Sequence, residues 1–563
     1  MDRKPNACQH SALLRGACVG RFAKIRVLPR PALRALGVAL ALALLATGCT
    51  TGPGEWIRNG FKVGPNYCRP RAPVADQWID TEDPHVQAQA ADYGHWWGVF
   101  DDPVLNELVE AAYEQNLPLK IAGMRILEAR AQLGRATGDL FPQRQEMFGV
   151  FARNELSHNS YPFGQFPLPK WEYDFWSLGL GNSLSPVSWE LDFWGRFRRG
   201  IESAEANMNA QIESYDDALV ILQAEVAATY IQVRTLEERL ALARQNVELQ
   251  KNTLRITQDR FDQGVVSELD VQQARSVLGA TESLIPVLQM GRRKAQNRLC
   301  TLMGMPPRDL EAELGGPGAT PTTPPEVAVG IPAELLRRRP DVRRAEREAA
   351  AQCARIGIAE SELYPHFSIS GYIAFDAENF ADVFDWDSIA GHVGPSFRWN
   401  ILNYGRILND VRVQEARFSQ AVLNYQETVL RANEEAENAI TFYLREQARV
   451  KSLDQSTAAT ARAVELANIQ YEQGLIDFQR VLDSQRALVL QQDTLAESRG
   501  NVALNLIGLY KALGGGWEMR LEPNLALASV PAETPFEEEP LPAELAPMPP
   551  PLPAPGDGTA EAP

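Results

Sequence analysis

The 563-residue sequence lacks the features that mark helical membrane proteins, metalloproteins and most enzymes. No window holds about 18 consecutive apolar residues, which a membrane-spanning helix requires, so a chain of this kind would have to cross a membrane with strands. The six cysteines form no CxxC pair, and neither they nor the six histidines cluster at metal-ligand spacing. We therefore expect no metal site, no cofactor and no enzymatic activity.

Clustered positive charge is also missing from most of the chain. The formal net charge is −17, and residues 1–48 carry eight basic residues and one acidic residue, or +7. The rest of the chain therefore carries −24 (−17 minus +7). Because binding to a phosphate backbone requires clustered Lys and Arg, this balance excludes nucleic acid as a partner.

The N-terminal region is typical of a secreted protein. A basic stretch is followed by twelve mainly apolar residues, 36–47, which are too few to span a membrane but suit a signal peptide. Small residues then precede Cys49, as at the processing site of bacterial lipoproteins. We predict that residues 1–48 are a lipoprotein signal peptide and that lipidated Cys49 anchors the chain in outer-membrane lipid. The alternative is ordinary signal cleavage beside an incidental cysteine.

Two long stretches, residues 201–263 and 406–473, contain neither glycine nor proline. Both are rich in Ala, Leu, Glu, Gln and Arg, which are strong helix formers. At about 1.5 Å per residue, each predicts a helix of roughly 95–100 Å. Helices of this length indicate coiled-coil-like packing, a solenoid or a tube rather than an ordinary globule.

Each long stretch ends at the same kind of turn. Gly264 and Gly474 stand where a left-handed residue ends a helix, and Ser267 and Asp477 can cap the helix that returns. The sequence therefore predicts two long helical hairpins with tight tips.

The chain contains an internal repeat. From Trp189 to Gly264 the residues match a second copy 210 positions later, whereas upstream the offset is 223, as between Pro142 and Pro365. The 13 extra residues (223 minus 210) lie between Pro142 and Trp189, where a surface loop tolerates a change of length.

A different pattern lies between the helices of each half. Apolar and polar residues alternate over residues 367–375 and 393–401, and around 148–152 and 178–184 in the first half. A period of two predicts strands, and strands of this kind with a terminal tryptophan are typical of outer-membrane barrels. Four strands cannot close a barrel, and open edges cannot face lipid.

The resulting fold class is mainly α with a small β part and a two-fold internal repeat. We expect a long α-helical barrel that forms a periplasmic tunnel, and four strands per chain that join two other copies in a trimeric 12-stranded outer-membrane β-barrel.

The chain resembles the TolC-like outer-membrane efflux ducts, in particular the lipoprotein branch that serves multidrug efflux. The resemblance covers about residues 60–520 and rests on the order of several short motifs: Val63–Tyr67, Trp96-Trp97, Phe100–Asn116, Ser267–Val271, Val481–Asp483 and Lys511–Trp517.

This resemblance implies a homotrimeric, passive exit duct for drugs or other small molecules in the outer membrane of a Gram-negative-type bacterium. A periplasmic adaptor, or membrane fusion protein, and an inner-membrane pump of the RND type would drive substrate into it. The domains that we expect are a signal peptide, a lipidated N-terminal segment, the first repeat, an equatorial linker, the second repeat and a disordered acidic tail: 1–48, 49–100, 101–304, 305–331, 332–520 and 521–563.

The resemblance also implies a constricted aperture built from charged residues that follow the tip glycines. The candidates are Asp270, Asp477, Arg480 and Asp483, and we hypothesise that Arg480 pairs with Asp270 of the neighbouring hairpin and locks the gate. The expected contacts with the adaptor are the tip residues Gly264, Val265, Gly474 and Leu475. The alternative is that the charges are only solvated and the glycines only structural.

Two other functions remain open at this point. The same fold would serve as the exit duct of a type I protein or peptide secretion system, in which only the partners differ. A periplasmic coiled-coil scaffold without a pore is the other alternative, and it predicts no strands.

Overall fold

A computed structural model describes residues 52–87, 93–155, 172–181 and 186–521. The chain divides into two compact units, residues 1–517 and 518–563, and the helices and sheets described here belong to the first unit. The predicted signal peptide and Cys49 lie outside the described residues, as does almost all of the acidic tail.

Helices make up most of the described chain. In order they are α1 (Pro53–Arg58), α2 (Pro103–Gln115), α3 (Leu117–Gly138), α4 (Arg196–Asp262), α5 (Glu268–Leu302), α6 (Leu335–Arg338), α7 (Pro340–Ser361), α8 (Arg406–Glu472) and α9 (Phe478–Ala512). The two longest, α4 and α8, have 67 residues each, which corresponds to about 100 Å. No helix within the described ranges combines the length and the apolar character that crossing a membrane demands.

The helix bounds reproduce the repeat. Helices α4 and α8 begin 210 residues apart, as do α5 and α9, while α3 and α7 begin 223 residues apart. Helix α4 starts at Arg196, five residues before the predicted start, because Gly200 is accommodated inside it. Both long helices begin after a glycine with positive φ, Gly195 at 82° and Gly405 at 81°.

The strands form one larger and one smaller sheet. They are β1 (Val86–Gln87), β2 (Met147–Glu155), β3 (Glu172–Leu180), β4 (Val187–Glu190), β5 (Val327–Ala328), β6 (His366–Ala377) and β7 (Ile389–Arg398). The larger sheet is antiparallel, in the order β2-β3-β6-β7, and β4 also pairs with β6. The smaller one pairs β1 with β5 in parallel.

Two strands differ from the prediction. The second strand of the first half is broken into β3 and β4, because the seven steps from Leu180 to Val187 stand opposite only two steps of β6. Strand β7 was predicted over 393–401 but runs from Ile389 to Arg398. It stops there because its partner β6 begins at His366, directly after a proline.

The long helices lie beside stacked pairs of shorter ones. Helix α4 contacts α3 and α5 as well as α7 and α9, and α8 contacts α7 and α9. Asn116 begins α3 and donates its side-chain amide to the carbonyl oxygen of Leu302 at the end of α5, at 2.8 Å. At the matching junction, Arg339 before α7 donates to the carbonyl oxygen of Ala512 at the end of α9, at 2.9 Å. The helices thus form a wall in the order α3/α5, α4, α7/α9, α8.

Residues 70–87 and 305–331, which we call the belt, pack against this wall. Arg234 of α4 is buried and donates to the carbonyl oxygens of Leu314 (2.5 Å) and Gly316 (2.6 Å). It also forms an ion pair with buried Glu237 at 2.9 Å. Buried charges persist only when they are paired and hydrogen-bonded, so this network fixes the belt to α4.

Candidate functional site at the hairpin tips

Both hairpins end in the same backbone turn. Gly264 and Gly474 each have a φ of 75°, and a Cβ at either position would meet no close contact among the described atoms. The amide of Val265 donates to the carbonyl of Arg260 at 2.9 Å, and Leu475 makes the equivalent bond in the other hairpin. This is the Schellman motif, so the left-handed backbone rather than a lack of space requires glycine.

Exposed apolar side chains follow the tip glycines. Val265 is 59% exposed and Leu475 is 69% exposed. Leu269, the second residue of α5, is 64% exposed. Single exposed apolar residues are common, but three of them on neighbouring tips offer a surface for a partner.

Two of the four predicted gate residues begin the returning helices. Ser267 and Asp270 form a capping box, in which the Asp270 carboxylate accepts from the Ser267 amide (3.2 Å) and hydroxyl (3.1 Å). Asp477 also stands at the N-cap of its helix, α9, but its side chain makes no capping hydrogen bond. Asp270 therefore has a structural role in the chain, whereas the carboxylate of Asp477 is exposed.

The other two predicted gate residues, Arg480 and Asp483, are exposed on α9. With Asp477 they recur every three residues, which places all three on neighbouring turns of one side of the helix. Asp483 accepts from Gln479 at 3.0 Å. Within the described part of the chain, no ion pair joins Arg480 to Asp270, so the proposed lock between copies stays a prediction.

The two hairpins are joined by a contact that the sequence does not reveal. The guanidinium of Arg260, on α4, lies 4.5 Å from the ring centroid of Tyr471, on α8, and donates to the carbonyl oxygen of the same tyrosine. Burial raises the pKa of the Tyr471 phenol, and the nearby Asp270 carboxylate adds to that rise. We call the Arg260–Tyr471 contact the clasp.

An apolar cluster lies next to the clasp and joins α5, α8 and α9. Tyr471 contacts the ring of Phe478 at a centroid distance of 5.2 Å. The buried members are Ala274, Val277, Ala467, Tyr471, Phe478, Val481 and Leu482. Partly buried Leu254 and Ile256 of α4 pack against the same cluster. The tips of one chain are therefore packed together, and the clasp adds a polar contact between α4 and α8.

The described residues contain neither a candidate metal site nor a disulfide. No group of three or more His, Cys, Asp or Glu side chains in the described ranges is placed to hold a metal ion. No disulfide joins Cys68, Cys300 and Cys353, the cysteines that the structure describes.

Comparison with known proteins agrees with this architecture. Residues 108–305 and 331–515 match the model of the family described as outer membrane efflux protein. Nodulation protein T of Rhizobium leguminosarum bv. trifolii is 29% identical over 479 residues, which is 84% of this chain and 98% of that protein. The pyoverdine export outer membrane protein OpmQ of Pseudomonas putida is 30% identical over 77% of this chain and 90% of that protein.

A solved structure of the outer-membrane channel OprN has a TM-score of 0.76 at 33% identity, covering 81% of this chain and 99% of that one. These matches confirm the predicted fold class, the predicted outer-membrane location and the predicted role in efflux. They do not favour the secretion-duct alternative. The chain belongs to the outer membrane efflux protein family, as an outer-membrane efflux channel.

Proposed function

We propose that three copies of this chain form the exit duct of a tripartite efflux system, a passive conduit for small molecules. The observation that carries this proposal is the open sheet. Among the described strands, β2 pairs only with β3 and β7 only with β6, so each copy presents two open edges. Open edges are not tolerated in lipid, and three copies would supply the strands that close a hollow barrel.

Exposed apolar residues on the first and last helices of the wall support the same assembly. On α3, Ile121, Met124 and Leu127 are 54%, 66% and 55% exposed. On α8, Leu423 and Leu430 are 64% and 54% exposed. No other described helix covers these side chains, and contact between α8 of one copy and α3 of the next would bury them.

The oligomeric mass of the purified protein and its conductance in a planar bilayer test this proposal. We expect a trimer and long-lived pores. Leu430→Glu should lower the trimer fraction, whereas Val265→Glu, an equally exposed position at a tip, should leave the mass unchanged. A folded monomer that never conducts would contradict the proposal.

We propose further that the tips contact a periplasmic adaptor, through which an inner-membrane RND-type pump drives substrate. Exposed Val265 and Leu475, presented by the turns at Gly264 and Gly474, support a contact of this kind. The Pseudomonas putida relative is named for pyoverdine export, so a small-molecule substrate is our proposal for this chain. A photo-crosslinker at position 265 should capture the adaptor, and the same group at Leu423 should capture a second copy instead.

The aperture itself is proposed to be formed by Asp270, Asp477, Arg480 and Asp483 of three copies. Rings of like charge act as selectivity elements in pores. Arg480→Ala and Asp270→Ala should each change single-channel conductance if the lock between copies exists. Asp270→Asn keeps most of the capping bonds, and it separates the loss of charge from the loss of the cap.

Lipidation at Cys49 is the remaining proposal. The described chain begins at Gly52, and Trp56 of α1 packs against Phe193 and Trp194, at ring-centroid distances of 5.3 and 5.5 Å, next to the end of strand β4. This contact holds the start of the described chain beside the sheet that we assign to the membrane. Cys49→Ser should abolish incorporation of labelled palmitate, and continued labelling would refute the assignment.

A further inference from the structure

A groove of about 650 Å³ lies where α9 ends and α7 begins, between α4 and α8. Its volume falls in the range of small-molecule sites, about 300–1,000 Å³. It contains apolar and cationic side chains from four helices, among them Val220, Ile221, Arg344, Arg431, Phe442 and Lys511.

The groove and the belt lie on different faces of α8. Arg431, Glu435 and Phe442 line the groove and recur at spacings of four and seven, which places them on one face of the helix. The belt is bound by another face, where Gln426 donates to the carbonyl oxygen of Arg71 at 3.0 Å. A duct must leave its axis open, so in the proposed trimer we place the belt on the outside, and the groove then faces the channel. This step rests on the proposed function.

The side chains that line the groove include two cationic groups, Lys511 and Arg431, that are not paired with the acidic residues of the groove. Each acidic residue that lines it has an ion-pair partner in the chain: Asp217 with Arg344 at 3.0 Å, and Asp341 and Glu435 with Arg339 at 2.7 Å each. Lys511 forms no ion pair with any residue that the structure describes. Among the described side chains, Arg431 forms an ion pair only with Glu427, on the exposed surface of α8, and exposed pairs contribute about 0–1 kcal/mol.

The groove is also kept open and partly apolar. Gly508 lies inside α9 and lines the groove, and a Cβ there would meet no described heavy atom within 4 Å. Glycine inside a helix costs roughly 0.5–1 kcal/mol relative to alanine, and packing does not require it at this position. Opposite stands Phe442, an aromatic side chain that is 59% exposed.

We propose that this groove is a binding site for amphiphilic organic anions that pass through the channel. The apolar body of the ligand lies in the space over Gly508, against Ile221 and Phe442. Its carboxylate or sulfonate binds Lys511 and Arg431. Charge-assisted hydrogen bonds to an anion account for the selectivity, and the open space accounts for the tolerance of different apolar bodies.

Fluorescence titration of the purified full chain in detergent tests the site with two probes. Dansylglycine carries an aromatic body and a carboxylate, and dansylcadaverine carries the same fluorophore and an ammonium group. We expect dansylglycine to bind about tenfold more tightly. Equal binding of the two probes would overturn the proposal.

Matched variants locate the site. Gly508→Leu fills the space and should weaken dansylglycine binding about tenfold, while Gly508→Ala should stay within about twofold of the parent. Lys511→Glu should weaken binding about fivefold, and Lys451→Glu, an exposed lysine of α8 away from the groove, should not. Unchanged binding in Gly508→Leu and Lys511→Glu, with the oligomer mass preserved, would show that the groove is not the site.

The conductance of the same preparation separates this inference from the proposed function. A preparation that forms no pores contradicts the exit duct itself. A conducting trimer that does not distinguish the two probes leaves the duct standing and removes only the anion site.

Discussion

Replacing Arg260 by alanine should weaken the contact between the two hairpin tips of each chain. The arginine is partly buried at the end of α4 and contacts α8 through both the ring and the carbonyl oxygen of Tyr471. Alanine is a good helix former, so the substitution removes the clasp while leaving the adjacent turn intact. We expect the variant to populate an open aperture more often than the parent.

The magnitude follows from the two components of the clasp. A cation–π contact contributes about 0.5–2 kcal/mol, and a hydrogen bond from a charged donor contributes about 1.5–3 kcal/mol when buried. Because Arg260 is only partly buried, solvent screening reduces both, and about 2 kcal/mol per clasp is a reasonable total. That energy corresponds to a change of about 30-fold in the ratio of open to closed tips for each copy.

Single-channel recording in planar bilayers measures this ratio directly. Arg255→Ala is the matched control, because Arg255 lies on the same helix and is 66% exposed. Its partners among the described residues, Asn252 and Asp259, belong to that helix as well. Tyr471→Phe keeps both the ring and the carbonyl oxygen and should behave like the parent. If Arg260→Ala conducts no differently from Arg255→Ala, the clasp does not hold the tips together and the reasoning is refuted.

Three further substitutions or treatments test the rest of the fold. Arg234→Met leaves the carboxylate of Glu237 buried without its main partner, at a cost of about 3–5 kcal/mol. Amide hydrogen exchange in the belt should therefore become faster. Unchanged exchange rates would contradict the proposed role of Arg234 in fixing the belt to α4. Gly474→Ala forces a Cβ into a left-handed backbone at roughly 1–2 kcal/mol, which should lower the thermal midpoint and increase exchange at that tip alone. Burial raises the pKa of the Cys353 thiol to about 11, so this thiol stays protonated at pH 8. Iodoacetamide should therefore modify exposed Cys68 in the native protein and Cys353 only after unfolding. Equal modification of both thiols in the native protein would contradict that assignment.

The helices and the repeat could be predicted because their signals are local or periodic. Long stretches without glycine or proline leave few alternatives to helix, and matching glycines at the two tips fix where the helices end. The Schellman turns and the cap at Ser267 follow from the same short-range rules. The predicted start of α4 was five residues late because a single glycine, Gly200, was treated as a helix boundary.

The sheet was predicted less accurately because strand ends depend on the partner strand. Alternation continues through Trp399 and Ile401, yet β7 ends at Arg398, where β6 offers no further residue to pair with. The break between β3 and β4 has the same origin, since only the register with β6 reveals it. Periodicity shows which face a residue occupies, but it does not show where pairing stops.

The clasp could not be predicted because its partners are 211 residues apart in sequence. An arginine two residues before a helix end is typical of any solvated last turn, and nothing nearby marks Tyr471 as its partner. The capping role of Asp270 is a local feature, because Ser267 stands three residues before it and the two form a capping box. Its place in the aperture depends on the neighbouring copies and stays a prediction.

The two stacked-helix junctions have a consequence for how this architecture can diversify. At each junction the two stacked helices are not consecutive in the chain. A side-chain hydrogen bond, from Asn116 or from Arg339, holds the start of one helix against the end of the other. The chain that leaves one helix and enters the next, such as residues 303–339, can therefore grow or shrink without shifting either long helix along its axis. Insertions and deletions in these connecting segments should therefore leave the length of the helical tunnel unchanged.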